Sequence, residues 1–169
     1  MKTYYTVLLC IFAVCLTIRT SYELLKKTGK INSENKIFFI IVLVAMILLW
    51  VSWFGMCPID PYSMELSEAV RAIGLILFLL GLALAFTALF QLRGVENIDH
   101  LVTTGLFSLI RHPMYTGFIL WIVGWSVYHS AAISLVAGFV GIANIVFWGR
   151  LEEERLLSLY GERYLQYRG

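Results

Sequence analysis

The chain has 169 residues, of which 60% are hydrophobic and 14% charged, with a mean hydropathy of +0.81 and a formal net charge of +2. Soluble domains hold roughly 45–50% apolar residues, so this composition indicates an integral membrane protein with no room for a separate soluble domain. The small net charge and the lack of a basic block or stacking platform exclude a nucleic-acid binder.

The elements predict an all-α fold, an integral membrane protein with five transmembrane helices. Tyr4 to Ile18 is the first apolar run. Arg19-Thr20-Ser21-Tyr22 follows with no small-residue cleavage site, so the run reads as a retained span and not a signal peptide. Residues 19–36 read as a polar connection. Its five basic residues, Arg19, Lys26, Lys27, Lys30 and Lys36, place it in the cytoplasm. Lys26-Lys27-Thr28-Gly29 has the form of a helix end closed by glycine. Ile37 to Phe54 is the second span, with Trp50, Trp53 and Phe54 expected in an interfacial aromatic belt. Cys57-Pro58-Ile59-Asp60-Pro61 breaks that helix, and Ser67 is a candidate cap for the next.

Ala72 to Phe90 is the third span, marked by the small residues Gly74, Gly81, Ala83 and Ala85. Residues 91–111 return to the cytoplasm. Pro113 to Tyr128 and Ala131 to Trp148 are the fourth and fifth spans, separated only by His129-Ser130. Gly117, Gly124, Gly138, Gly141 and Ala143 favour close contact between these two. A cytoplasmic helix is expected from Arg150, with Leu157, Tyr160, Tyr164 and Tyr167 forming a stripe. The N-terminus then lies outside and the C-terminus in the cytoplasm. The whole is one membrane domain, 1–169, with residues 1–90 as scaffold and 91–169 as the functional part.

Two clusters meet at one membrane surface. Arg111-His112-Pro113-Met114-Tyr115 opens the fourth span, where proline suits the first helical turn and the helix start attracts an anion. Arg150 and Glu154 stand four apart on one helix face. The plain alternative is that Glu152-Glu153-Glu154 is a solvated helix face and His112 a structural cap. The three cysteines, Cys10, Cys15 and Cys57, and the scattered His100, His112 and His129 give no metal-ligand spacing, so no metal is expected.

Leu101-Val102-Thr103-Thr104-Gly105-Leu106-Phe107, Arg111-His112-Pro113-Met114-Tyr115, and Arg150-x-x-Glu153-Glu154-x-x-Leu157 with Tyr160-Gly161-Glu162-Arg163-Tyr164 together resemble the isoprenylcysteine carboxyl methyltransferase family, to which phospholipid N-methyltransferases are related. The resemblance covers about residues 91–167. It implies S-adenosylmethionine as cofactor and a lipophilic or lipid-linked methyl acceptor reached from the membrane. It further implies that Asp99, His100, Leu101, Val102, Phe107, His112, Pro113, Met114 and Tyr115 surround the cofactor. Glu154 would hold the cofactor's amino group, and Arg150 would face the acceptor. Phe107 stands where the family often has Tyr, and Gln91 is a further candidate contact. A carboxylate acceptor needs no general base, whereas an amine needs one, for which Glu153 or His112 is the candidate.

Two other classes share parts of this pattern. Intramembrane sterol-type reductases using NADPH carry an Arg-His-x-Asn-Tyr-like element, but Met114 stands here in place of the Asn. A non-catalytic membrane protein would need none of these residues. The compact chain is expected in a prokaryotic plasma membrane, with the endoplasmic reticulum as the alternative.

Overall fold

The computed structural model describes residues 2–31, 35–92 and 101–168, so Asp99 and His100 lie outside the described residues. Among the described residues six helices follow one another: α1 Lys2–Lys27, α2 Lys36–Met56, α3 Glu68–Leu92, α4 Pro113–Tyr128, α5 Ala132–Tyr160 and α6 Glu162–Arg168. Short 3₁₀ turns occupy Cys57–Ile59 and Gly105–Ser108. Among the described residues there is no strand, only an isolated antiparallel bridge between Ser63 and Ala131. The chain is an all-α integral membrane protein.

Among the described residues four segments, not five, are long and apolar enough to cross a membrane: Lys2–Lys27, Lys36–Ile59, Glu68–Leu92 and Ala132–Tyr160. The expected fourth span, α4, has 16 residues. At about 1.5 Å per residue it reaches only about 24 Å, against the roughly 30 Å of a hydrocarbon core. It packs between α3 and α5, antiparallel to α3.

Two further boundaries differ from expectation. α1 does not stop at Ile18 but continues to Lys27. Nothing from Arg19 to Lys27 breaks a helix, and an Arg19–Glu23 ion pair one turn apart supports it. The predicted glycine end does fall there: Gly29 has φ 68°, and Lys30 N–H donates to the Leu25 carbonyl at 3.0 Å. α5 likewise runs through Gly149, so the fifth span and the C-terminal helix are one 29-residue rod. A lone glycine lowers helix stability by about 1 kcal/mol, too little to stop a long packed helix.

Two of the small residues join a different pair of helices from the one expected. Gly117 and Gly124 face α3, not α5. A methyl group on Gly117 would lie 2.6 Å from the Gly81 carbonyl oxygen, and one on Gly124 would lie 2.6 Å from the Gly74 carbonyl oxygen. Gly74–Gly124 and Gly81–Gly117 are thus two antiparallel contacts seven residues apart on each helix, where the backbones touch. Gly138 and Gly141 do face α4 as expected, through Ile122, and also make room for Trp53 and Phe12.

Trp53 is fully buried, so the aromatic residues of α2 form an interior cluster and not a surface belt. Trp50 meets Trp121 edge-on at 4.5 Å, and Phe54 meets Phe78 at 5.9 Å. The end of the molecule near Asp60 is tied by hydrogen bonds. Ala131 gives α5 no side-chain cap, and Asp60 supplies one from another element. Its carboxylate accepts from the Ser134 N–H and hydroxyl, both at 2.7 Å. Ser67 caps α3 as expected, its hydroxyl accepting from Val70 N–H at 3.4 Å.

Candidate active site

At the opposite end, α1 to α6 and the residues before α4 surround a cavity of about 860 Å³. Its mouth is polar. Lys27 from α1 pairs with Glu154 from α5 at 2.6 Å, both half-exposed. Its inner part is apolar, walled by Phe39, Val42 and Met46 of α2 and by Ala85, Phe86 and Leu89 of α3.

The start of α4 forms one side. Pro113 is the first helical residue, and His112 makes no side-chain cap, so the first-turn N–H groups are not capped by that side chain. The His112 ring instead spans two α5 carboxylates. Nε2 lies 3.2 Å from Glu153 and Nδ1 lies 3.8 Å from Glu152. Arg111 also pairs with Glu153, at 3.0 Å. These contacts pin the α4 start to α5. Tyr115 packs its ring 3.6 Å from where a methyl on Gly149 would stand, and stacks on His112 with centroids 5.6 Å apart.

The turn before α4 is fixed from two sides. Gln91 accepts from the Leu106 N–H at 3.0 Å, and its side chain fills the space over Gly105. Gln91 therefore anchors this turn. Gly105 has φ 65°, which an L side chain adopts at a cost. From the other side, Tyr167 of α6 donates to the Phe107 carbonyl at 2.5 Å. Tyr164 is 1% exposed, and its hydroxyl has no partner among the described residues although it borders the cavity. Burial raises the Tyr164 phenol, with Glu153 adding to the shift. Burial likewise raises Tyr167. The expected tyrosine stripe is real in Tyr164 and Tyr167, but Gly161 interrupts it, at φ 48° between α5 and α6.

Of the residues singled out in the sequence, Leu101, Val102, Phe107, His112, Pro113, Met114, Tyr115 and Glu154 all line this cavity. Arg150 does not. It is exposed and absent from the cavity wall. Sequence reasoning missed Arg19 and Glu23, which line the cavity from α1. Their signal was the four-residue spacing in a segment without a breaker.

The site suits S-adenosylmethionine on its donor set. A carboxylate at Glu154, an uncapped helix start beside Arg111 and His112, and an orphaned buried phenol at Tyr164 complement an ammonium, a carboxylate and a hydroxylated sugar. The volume falls within the roughly 300–1,000 Å³ usual for small-molecule sites. Among the described residues no group of three or more His, Cys, Asp or Glu is placed to hold a metal.

A helical membrane bundle with a polar-mouthed cavity lined by Arg-His-Pro-Met-Tyr and a facing Glu-rich helix is the class of protein defined by fold and site. The family model for phospholipid methyltransferases matches residues 69–163, and the chain belongs to that family. It is 33% identical over 120 residues to protein-S-isoprenylcysteine O-methyltransferase B of Arabidopsis thaliana, covering 70% of this chain and 55% of that protein. It is 35% identical over 138 residues to protein-S-isoprenylcysteine O-methyltransferase of Xenopus laevis, covering 74% and 46%. Methanethiol S-methyltransferase of Pseudomonas deceptionensis is 28% identical over 144 residues, covering 75% and 52%. The chain thus spans about half the length of these curated relatives. No solved structure matches it significantly.

Proposed function

We propose that the chain is an S-adenosylmethionine-dependent methyltransferase acting on a lipophilic acceptor at the membrane face. The observation that carries this reading is the two-part cavity, with a charged mouth for a water-soluble cofactor and an apolar inner wall between α2 and α3 for an acceptor held in lipid. The names of the relatives, O-methyltransferases of isoprenylcysteine and S-methyltransferases of methanethiol, support it.

The bound cofactor supplies an electrophilic methyl on a sulfonium. The protein's part is alignment, since in-line displacement at carbon depends on orientation worth several kcal/mol. Glu154 holds the cofactor's ammonium, and the α4 start with Arg111 receives its carboxylate. Tyr115 and Phe107 pack beside it, and Tyr164 offers a hydroxyl. Asp99 and His100 belong to the same pocket in this reading. A carboxylate acceptor would already be ionised, so no residue of the chain would have to take a proton from it. An amine acceptor gives up a proton, and His112 between Glu152 and Glu153 is placed to take it.

In this reading α4 is a fifth, short membrane element, the N-terminus lies outside, and the charged mouth faces the cytoplasm of a prokaryote. Calorimetry in detergent tests the function. Micromolar S-adenosylmethionine binding, weakened at least tenfold by Glu154→Ala, is expected. Binding of NADPH in its place by folded protein would overturn the reading in favour of a reductase, and binding of neither would favour a non-catalytic protein.

A further inference from the structure

We propose that α6 is a strap over the cofactor end of the cavity, and that the Tyr164 hydroxyl is the contact through which a bound cofactor fastens it. This rests on the methyltransferase reading of the same site.

α6 has only seven residues and leaves α5 through Gly161, at φ 48°. A helix so short does not hold together by itself, so its place depends on what its side chains reach. A methyl on Gly161 would meet nothing within 4 Å, so packing does not hold the joint. Glu162, Arg163, Leu165, Gln166 and Arg168 are all exposed, which leaves Tyr164 and Tyr167 to seat the helix. Tyr167 is fastened, its hydroxyl donating to the Phe107 carbonyl at 2.5 Å. Tyr164 is buried at 1% exposure, yet its hydroxyl has no partner among the described residues. A buried donor without an acceptor is penalised, so the protein alone leaves this half of the seat incomplete.

Tyr164 borders the cavity that Glu154, His112 and Tyr115 also line. Burial, and then Glu153, raise its phenol, so near neutral pH it is an O–H donor. Arg111 and Glu152 act on it as well, which puts it beside the α4 start, among the groups assigned to the cofactor. Glu154 and the α4 start with Arg111 meet the cofactor's two charged groups. The phenol is then the donor left for a further oxygen of the same molecule. One bond from Tyr164 to that oxygen satisfies the phenol and makes the cofactor part of the α6 seat. The Phe107 turn completes the strap, since Gln91 holds it through the Leu106 N–H at 3.0 Å and Tyr167 ties α6 to it. A ligand that binds the seated form better than the open one must hold α6 down, and a looser α6 must weaken the ligand.

The test uses the full chain in detergent, with S-adenosylmethionine titrated by calorimetry and α6 followed by limited trypsin digestion and intact mass. Arg163 is exposed, and cleavage after it tracks how often α6 opens. Saturating S-adenosylmethionine should slow that cleavage at least about fivefold in the wild type. Tyr164→Phe keeps the ring and removes the hydroxyl. It should weaken S-adenosylmethionine about threefold to tenfold and cut the protection of Arg163 to below about twofold, while cleavage without ligand is no faster than in the wild type. A hydroxyl of structural use alone gives the opposite pattern, with faster cleavage without ligand and unchanged affinity. Affinity unchanged in Tyr164→Phe would assign the hydroxyl to water and overturn the proposal. Wild-type protein that binds S-adenosylmethionine without protection of Arg163 would overturn the strap and leave the methyltransferase reading standing. If the wild type binds no S-adenosylmethionine, that reading fails and the strap falls with it.

Discussion

Gly117→Ala tests whether backbone contact between α3 and α4 positions the site. A methyl there would meet the Gly81 carbonyl oxygen at 2.6 Å, the Ala85 nitrogen at 2.7 Å and the Ala85 methyl at 3.0 Å. Ordinary contact begins near 3.4 Å, so the helices must part by close to 1 Å. Overpacking of this kind destabilises by about 1–3 kcal/mol, while replacing glycine by alanine in a helix returns about 1 kcal/mol. A net loss of up to about 2 kcal/mol lowers the melting temperature by up to roughly 8 °C for a chain of this size. Gly117 also lies one turn from Pro113, so the displacement reaches the α4 start and should weaken S-adenosylmethionine binding. Gly149→Ala is the matched control. Its methyl would sit 3.6 Å from the Tyr115 ring, an ordinary contact, so the helix gain survives and the melting temperature should rise. Thermal unfolding of both variants in one detergent decides the matter. A Gly117→Ala protein as stable as Gly149→Ala would refute the backbone-contact reasoning.

Other expectations are independent of this one. Asp60→Ala strips the α5 start of its cap and leaves Ser134 buried without its acceptor, so stability should fall by about 2–3 kcal/mol in denaturant titration, with Asp60→Asn losing less. Gly105→Ala forces a side chain to φ 65° against Gln91 and should weaken cofactor binding severalfold in calorimetry. Tyr167→Phe removes the bond to the Phe107 carbonyl, about 1 kcal/mol, and should speed proteolysis of α6 without unfolding the bundle. Burial, with Arg71 nearby, lowers His129, so the folded state disfavours its protonation. The unfolded chain then binds more protons once the pH falls below about 6.5, and stability should decline there, an effect that His129→Phe removes.

Much of this architecture is legible in the chain. Apolar runs give four of the helices directly, and the glycine at the end of α1 and the serine at the start of α3 mark their ends. Residues 101–115 are compact in sequence, so their convergence at the mouth follows from local spacing. Three features were not readable because they depend on a distant partner. Periodicity cannot say that Gly117 faces Gly81 and not α5, since both sides of a buried helix are apolar. Trp53 looks like a surface anchor until α5 supplies Gly138 to receive its ring. Arg19 reads as a topological charge because positive-inside counting ignores which face of a helix a residue occupies.

The length of α5 ties the two ends of the molecule together. Its 29 residues extend about 43 Å, with one end fastened by Asp60 and the other carrying Glu152, Glu153 and Glu154. The apolar part of the rod, Ala132 to Trp148, extends only about 26 Å, so Glu152, Glu153 and Glu154 stand beyond the apolar stretch, where His112 and Lys27 reach them.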